Sequence, residues 1–199
     1  MKKDILLSGV GGQGILSIAT VIGEAATAAG LHLKQAEVHG MSQRGGAVQS
    51  DLRLSDEAIF SDLIPHGQAD LILAMEPMEA LRYVPFLHRD GWIVTSSEPF
   101  VNIPDYPDPA ALEQALQAFP RVVSGRIEAV AREHGLPKSA NMVLLGMAAA
   151  RIGILTPEQL RAAIGRTFAR KGKQVVEDNL KAFDLGRETQ MQHAKDSQP

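Results

Sequence analysis

The chain has 199 residues, 45% hydrophobic and 22% charged, the size and composition of one globular domain with its own core. A formal net charge of −3 gives no bulk basic field, so neither nucleic acid nor an anionic membrane is expected as a partner. The absence of cysteine excludes disulfides, thiol nucleophiles and Cys-ligated zinc, and speaks against a resident iron–sulfur cluster.

Met1-Lys2-Lys3 followed by Ile5-Leu6-Leu7 faintly resembles a signal peptide, but Asp4, the Gly-rich stretch and Glu24 interrupt any apolar segment. A cytoplasmic protein that begins with its first strand is expected. The run Ile5-Leu6-Leu7 predicts a buried strand. Ile15, Ile18, Ala19, Ile22 and Ala26 share one face at helical spacing and predict a helix over 14–29, with Gly30 as its stop. Residues 31–38 predict a second strand, which completes a βαβ unit.

After a polar, Gly-rich break at 39–46, Val48, Ser50, Leu52 and Leu54 alternate with Gln49, Asp51 and Arg53, predicting a strand with one wet face. Leu71-Ile72-Leu73 predicts a buried strand over 69–75. Pro77 opens a helix to about Leu87, and Trp92-Ile93-Val94 marks a strand over 91–95. Prolines 99, 104, 107 and 109 predict an extended loop, and Asp108-Pro109 predicts the cap of a helix over 110–119. A last strand is expected at 121–123 and a short helix at 128–133. Beyond Pro137 the pattern is helical: 137–152, then a helix to about Arg170 opened by the capping box Thr156-Pro157-Glu158-Gln159, then 173–185. The expected organisation is one α/β domain over 1–186 and a frayed polar tail over 187–199. The expected fold is Rossmann-like: a mostly parallel sheet, helices on both faces and a helical C-terminal segment.

Three segments carry candidate chemistry. Gly9-Val10-Gly11-Gly12-Gln13-Gly14 satisfies G-x-G-x-x-G between a strand and a helix. Backbone without Cβ atoms approaches a phosphate closely there, and free N–H groups with the helix dipole favour an anion. The bland alternative is a turn that only lets helix and strand pack. Glu37 follows Gly14 by 23 residues, close to the ~20-residue spacing at which a carboxylate meets a ribose. No Walker lysine is present, which argues against an NTPase loop.

The second segment is Glu37-Val38-His39-Gly40-Met41-Ser42-Gln43-Arg44-Gly45-Gly46. Arg44 suits a phosphate or carboxylate, and the glycines expose backbone donors. Both segments should face each other at the carboxyl edge of the sheet, where ligands bind in such folds. The alternative is a solvated connector.

The third is Glu76-Pro77-Met78-Glu79-Ala80-Leu81-Arg82, with Glu76 at the same edge. Its acids equally suit a helix N-terminus. The other histidines are scattered without metal-ligand spacing, so no metal site and no catalytic acid or base is assigned.

In this order the three segments resemble the gamma-type module of the 2-oxoacid:ferredoxin oxidoreductases, and "EVHGMSQRGG" and "EPMEALR" look closest to the small subunit of the indolepyruvate-specific members. The likeness runs on through Asn141-Met142-Val143-Leu144-Leu145-Gly146. The resemblance implies a large partner subunit holding thiamine diphosphate and iron–sulfur clusters. It implies oxidative decarboxylation of an arylpyruvate, with electrons passing to ferredoxin and the acyl group to coenzyme A. This chain would bind none of those cofactors alone and would complete the active site. Gly9, Gly11, Gly12, Gln13 and Gly14 would form an anion-binding edge with Ser42, Gln43, Arg44, Gly45 and Gly46. Glu37 and His39 would orient the loop, and Glu76 would wall the site. The alternative is a free-standing NAD- or FAD-binding protein with Glu37 on the ribose. A third reading is a scaffold that docks through the apolar helix at 140–152.

Overall fold

The computed structural model describes residues 1–39 and 45–196, with the side chains of His39 and residues 190–196 left aside. In chain order the elements are β1 (Lys2–Val10), α1 (Ile15–Ala28), β2 (His32–His39), β3 (Ala47–Ser55), β4 (Ala69–Ala74), α2 (Pro77–Arg82), β5 (Leu87–Ser96), α3 (Pro109–Gln117), β6 (Val122–Gly125), α4 (Ile127–Glu133), α5 (Ala140–Ile152), α6 (Pro157–Phe168) and α7 (Lys173–Asp196). The strands form one sheet in the order β2-β3-β1-β4-β5-β6. Only β3 runs against the rest, antiparallel to β1 and β2. The pairs β1/β4, β4/β5 and β5/β6 are parallel.

The α/β expectation holds, with one difference of topology. β1 and β2 point the same way, but β3 folds back from β2 and lies between them, so the strands of the βαβ unit are not neighbours. Ile5, Leu7, Leu52, Leu54, Leu71, Leu73 and Val94 face α1 and the C-terminal helices in the larger core. Leu6, Ile72 and Ile93 face the other way, against Ala80 of α2, Leu116 of α3 and Ile64. Helices therefore cover both faces, and the alternation of Ile5, Leu6 and Leu7 between two buried layers explains an uninterrupted apolar run.

The wet face expected of β3 is dry. Asp51 and Arg53 are buried, and the polar half of the alternation pairs inside the protein. Arg53 donates to the Asp4 carboxylate on β1, Nε to Oδ1 at 2.9 Å and Nη2 to Oδ2 at 3.2 Å. Asp51 Oδ2 accepts from the Ile64 N–H at 3.0 Å. These bonds hold the 56–68 segment over that face.

Other differences have local causes. α2 stops at Arg82 instead of Leu87 because Pro85 has no N–H to continue it, and Val84–Phe86 forms a single 3₁₀ turn. Asp108 precedes α3 without a side-chain capping bond. α5 begins at Ala140, since residues 136–139 close a turn through Ser139 N–H to the Leu136 carbonyl. α7 passes through residues 187–196, beyond the end read from apolar spacing. That stretch is polar, yet it is made of good helix formers without Gly or Pro. The capping box of α6 forms as expected: Thr156 Oγ1 accepts from Gln159 N–H, and Gln159 Oε1 from Thr156 N–H. Among the described residues no helix is long and apolar enough to cross a membrane.

Candidate functional site at the carboxyl edge

The turn from β1 into α1 is built by its own side chains. Gln13 Oε1 accepts from the Val10 N–H at 2.7 Å, and the Gln13 N–H donates to the Val10 carbonyl at 3.1 Å. Gly14 sits at φ 83 as the N-cap of α1. A Cβ there would lie 2.6 Å from Asn141 Nδ2, which itself donates to the Gly14 carbonyl at 3.1 Å. Glycine is required at this position both for its conformation and for the approach of α5.

The second segment meets this turn. The Gly11 N–H donates to the Gly46 carbonyl at 2.8 Å, and the Gly45 N–H to the Gly11 carbonyl at 3.3 Å. The two Gly-rich segments therefore face each other, as their shared place at the carboxyl edge predicts. The same bonds correct the donor set: the N–H groups of Gly11, Gln13 and Gly45 are engaged within the protein. Among the described residues, Gly12 and Gly14 keep N–H groups without a partner, and a Cβ on Gly12 would meet nothing within 4 Å. Ser42, Gln43 and Arg44 lie outside the described residues, as does the His39 side chain.

Glu37 is exposed and accepts a 2.6 Å hydrogen bond from Gln35 Nε2. It sits in register with Ser50, and β3 separates its strand from β1. Two inter-strand steps put β2 roughly 10 Å from β1. In a dinucleotide site the acidic strand adjoins the first, so this topology removes the basis for Glu37 as a ribose ligand.

Glu76 is fully buried and is the N-cap of α2. Its Oε2 accepts from the Glu79 N–H at 2.9 Å, and its Oε1 from the Phe100 N–H at 3.4 Å and the Tyr106 hydroxyl. It latches the Pro-rich 99–106 segment and is not an open wall of a site. Burial, then the hydrogen bond to Glu76, push the Tyr106 phenol well above its ordinary value, so it stays a donor at every physiological pH. Tyr106→Phe should lower stability by about 1.5 kcal/mol, since hydrogen bonds to charged acceptors are worth ~1.5–3 kcal/mol. Urea unfolding measures it, and an unchanged midpoint would show that Glu76 does not need the hydroxyl.

Burial also raises the Glu79 carboxyl, against the pull of Arg82, whose Nε lies 3.1 Å from Oε2. Asn102 Nδ2 donates to the Gly45 carbonyl at 2.9 Å, and Glu98 accepts from the Glu128 N–H at 2.7 Å and the Ala129 N–H at 3.2 Å. One loop thus ties α2, the second Gly-rich segment and the start of α4 together.

A cleft of about 570 Å³ opens over the Gly turn. Gly11, Gly12, Gln13, Gly14 and Ser17 form one side. Phe100, Glu128 and Arg132 of α4, and Lys138 and Asn141 form the others. The sequence reading missed Ser17, Glu128, Arg132 and Lys138. Ser17 is one turn into α1, and the rest stand more than a hundred residues from the glycines without a motif. Glu37 and Glu76 do not line the cleft. A larger hollow of about 720 Å³ lies between α3 and β6, and of the three candidate segments it is bordered by Pro77.

Residues 4–189 match the family model described as pyruvate ferredoxin/flavodoxin oxidoreductase. The chain belongs to that family. It is 36% identical to the indolepyruvate oxidoreductase subunit IorB of Pyrococcus horikoshii, over 94% of this chain and 95% of that one. The gamma subunit of a keto/oxoacid ferredoxin oxidoreductase from Geobacter sulfurreducens superposes with a TM-score of 0.68 at 27% identity, over 95% of this chain and 98% of that one. A 2-oxoglutarate:ferredoxin oxidoreductase from Magnetococcus marinus shares the fold, with a TM-score of 0.72 at 22% identity. There the match covers 96% of this chain but 31% of the other, so the same module is part of a longer polypeptide. The expectation of an oxidoreductase subunit in this class is met, and the free-standing dinucleotide-binding reading is not favoured.

Proposed function

We propose that this chain is the cluster-free small subunit of an indolepyruvate- or arylpyruvate:ferredoxin oxidoreductase, located in the cytoplasm, and that it completes an active site carried mainly by a large subunit. The observation that carries this reading is the joining of two Gly-rich segments at one sheet edge, Gly11 to Gly45 and Gly46, rimmed by exposed apolar side chains. Val38 is 60% exposed and Val101 68%, a surface that suits a subunit contact better than water. Full-length similarity to an indolepyruvate oxidoreductase subunit supports the substrate class.

Neither thiamine diphosphate nor an iron–sulfur cluster is assigned to this chain. It has no cysteine thiolate for a cluster, and its described residues bring no three His, Asp or Glu side chains together as a metal site. Both groups belong to the proposed partner, where they supply the electron sink for loss of CO₂ and the path of electrons to ferredoxin. This chain's residues bind and orient. Gln43 and Arg44, with Ser42 beside them in sequence, hold the carboxylate of the 2-oxoacid or a phosphate of coenzyme A, Glu37 and His39 orient their loop, and Glu76 fixes the facing strap.

The test is reconstitution with the large subunit encoded in the same genome, read as indolepyruvate- and coenzyme A-dependent ferredoxin reduction. Activity that needs both chains is expected. A large subunit fully active alone would reduce this chain to a scaffold. Within the active complex, Arg44→Ala should raise KM for one anionic substrate about tenfold, the loss of one charge-assisted contact. Unchanged KM for both would remove Arg44 from the site.

A further inference from the structure

Along the carboxyl edge the strands stand in the order β5-β4-β1-β3, so three inter-strand steps, about 14 Å, separate β5 from β3. The strap that leaves Ser96 at the end of β5 crosses them. Its Asn102 reaches the second Gly-rich segment just before β3 starts, where Nδ2 donates to the Gly45 carbonyl at 2.9 Å. The strap is fixed on both sides of this residue. Before it, Glu98 accepts from the Glu128 and Ala129 N–H groups of α4, and Glu76 accepts from the Phe100 N–H. After it, Glu76 accepts from the Tyr106 hydroxyl. Asn102 therefore ties Gly45 to a frame that is already anchored.

Stability does not explain the residue. The other half of the same amide, Oδ1, is buried without a donor among the described residues. A buried acceptor left unpaired costs more than one neutral hydrogen bond returns. Gly45 is exposed, so its carbonyl finds water when the amide is taken away. What the amide does supply is a fixed backbone. Gly45 has φ 79, a Cβ on it would meet nothing within 4 Å, and Gly46 follows it. Two successive residues without side chains leave their peptides free to turn. Gly11 holds the pair from the side of the Gly turn, and Asn102 holds it from the side of the strap.

We propose that Asn102 is a positioning residue: by holding the Gly45 carbonyl it sets the second Gly-rich segment, and with it Gln43 and Arg44, for the anionic substrate. This role rests on the function proposed above and adds to it a residue that acts through its neighbours. A segment ordered before substrate arrives loses less freedom on binding. Asparagine suits the task because its amide offers two donors on a short stem, whereas the equally shaped aspartate offers a carbonyl none.

The reconstituted complex and the isolated full chain test it. In the complex, Asn102→Ala should raise KM about fivefold for the same anionic substrate that Arg44→Ala affects, with kcat within about twofold of wild type. Asn102→Asp should raise it at least as far. Arg44→Ala/Asn102→Ala should show the KM of Arg44→Ala alone, since one residue acts through the other. In the isolated chain, the thermal midpoint of Asn102→Ala should be no lower than wild type, while the Gly45 amide proton exchanges about tenfold faster by NMR. Wild-type KM values in both Asn102 variants, losses that multiply in the double variant, or unchanged exchange at Gly45 would each overturn the role. A wild-type complex without indolepyruvate activity would remove the proposed function and this role together. A fully active complex indifferent to Asn102 would remove this role alone.

Discussion

Gly146→Ala and Gly186→Ala are each expected to destabilise the chain by about 3 kcal/mol or more, the upper end of the overpacking range. α5 and α7 cross in backbone contact at these two positions. A Cβ on Gly146 would lie 2.1 Å from the Phe183 carbonyl oxygen, and one on Gly186 would lie 2.0 Å from the Val143 carbonyl oxygen. The obstructing atoms are main chain, so no rotamer change relieves the clash and the helices must separate. Separation would expose Phe183, which is fully buried, and loosen Val143 and Met147 from the larger core. At ~2–4 °C per kcal/mol for a chain of this size, Tm should fall by about 6–12 °C. Gly165→Ala on α6 is the control. Its Cβ would meet nothing within 4 Å, so the helix gains about 0.5–1 kcal/mol from the better helix former. Equal thermal midpoints for Gly146→Ala and the wild type would mean that the crossing is not close-packed in solution.

The same crossing marks where sequence reading ran out. Apolar periodicity located α1, and the capping box located the start of α6, each to within two residues. Periodicity read α5 only as an apolar helix. Nothing in its spacing says that Gly146 exists for a partner helix forty residues on. β3 failed for a related reason: polar alternation carries the same pattern whether the polar face meets water or buried partners. Asp4 is the partner that decides it, and no local rule couples residues 4 and 53.

At the site, the meeting of the two Gly-rich segments followed from their shared place at the carboxyl edge, though the contact itself is made because β3 pairs directly with β1. The strand inserted between β1 and β2 was not legible, since a βαβ pattern reads the same with or without it. Lys138 and Arg132 carry no motif, and the bonds of Asn141 to Gly14 and of Glu98 to the start of α4 bring their segments to the turn. Glu76 shows the converse. Its placement at the edge was legible, but its commitment to Tyr106 and Phe100 depends on a Pro-rich loop whose path no periodicity describes.

Arg53→Met is expected to cost about 3–5 kcal/mol, because it removes one partner of a buried ion pair. Asp4 is fully buried, and its carboxylate is held by Arg53 and by Lys2 Nζ at 2.7 Å, which is half exposed. Arg53 does a second job that Asp4 does not share: its Nη1 donates to the carbonyls of Ser61 and Leu63, both at 3.0 Å. Losing the guanidinium leaves one carboxylate and two carbonyls short of donors. Asp4→Asn should be nearly as destabilising, since it strands the guanidinium charge, but the bonds to the 61–63 backbone survive.

The two substitutions therefore separate by location. Limited proteolysis should cut the 56–68 segment much faster in Arg53→Met, and at close to the wild-type rate in Asp4→Asn. In the combined variant Asp4→Leu/Arg53→Met no charge is buried alone. Its loss should be smaller than the sum of the single losses by about 1–3 kcal/mol, the range for residues in direct contact. It should nevertheless keep the fast cleavage, because the Ser61 and Leu63 carbonyls still lack the guanidinium that ties them to β3. Additive losses would show that the pair contributes nothing through its charge. Slow cleavage in both Arg53 variants would show that Asp51, through its bond to the Ile64 N–H, holds the segment alone.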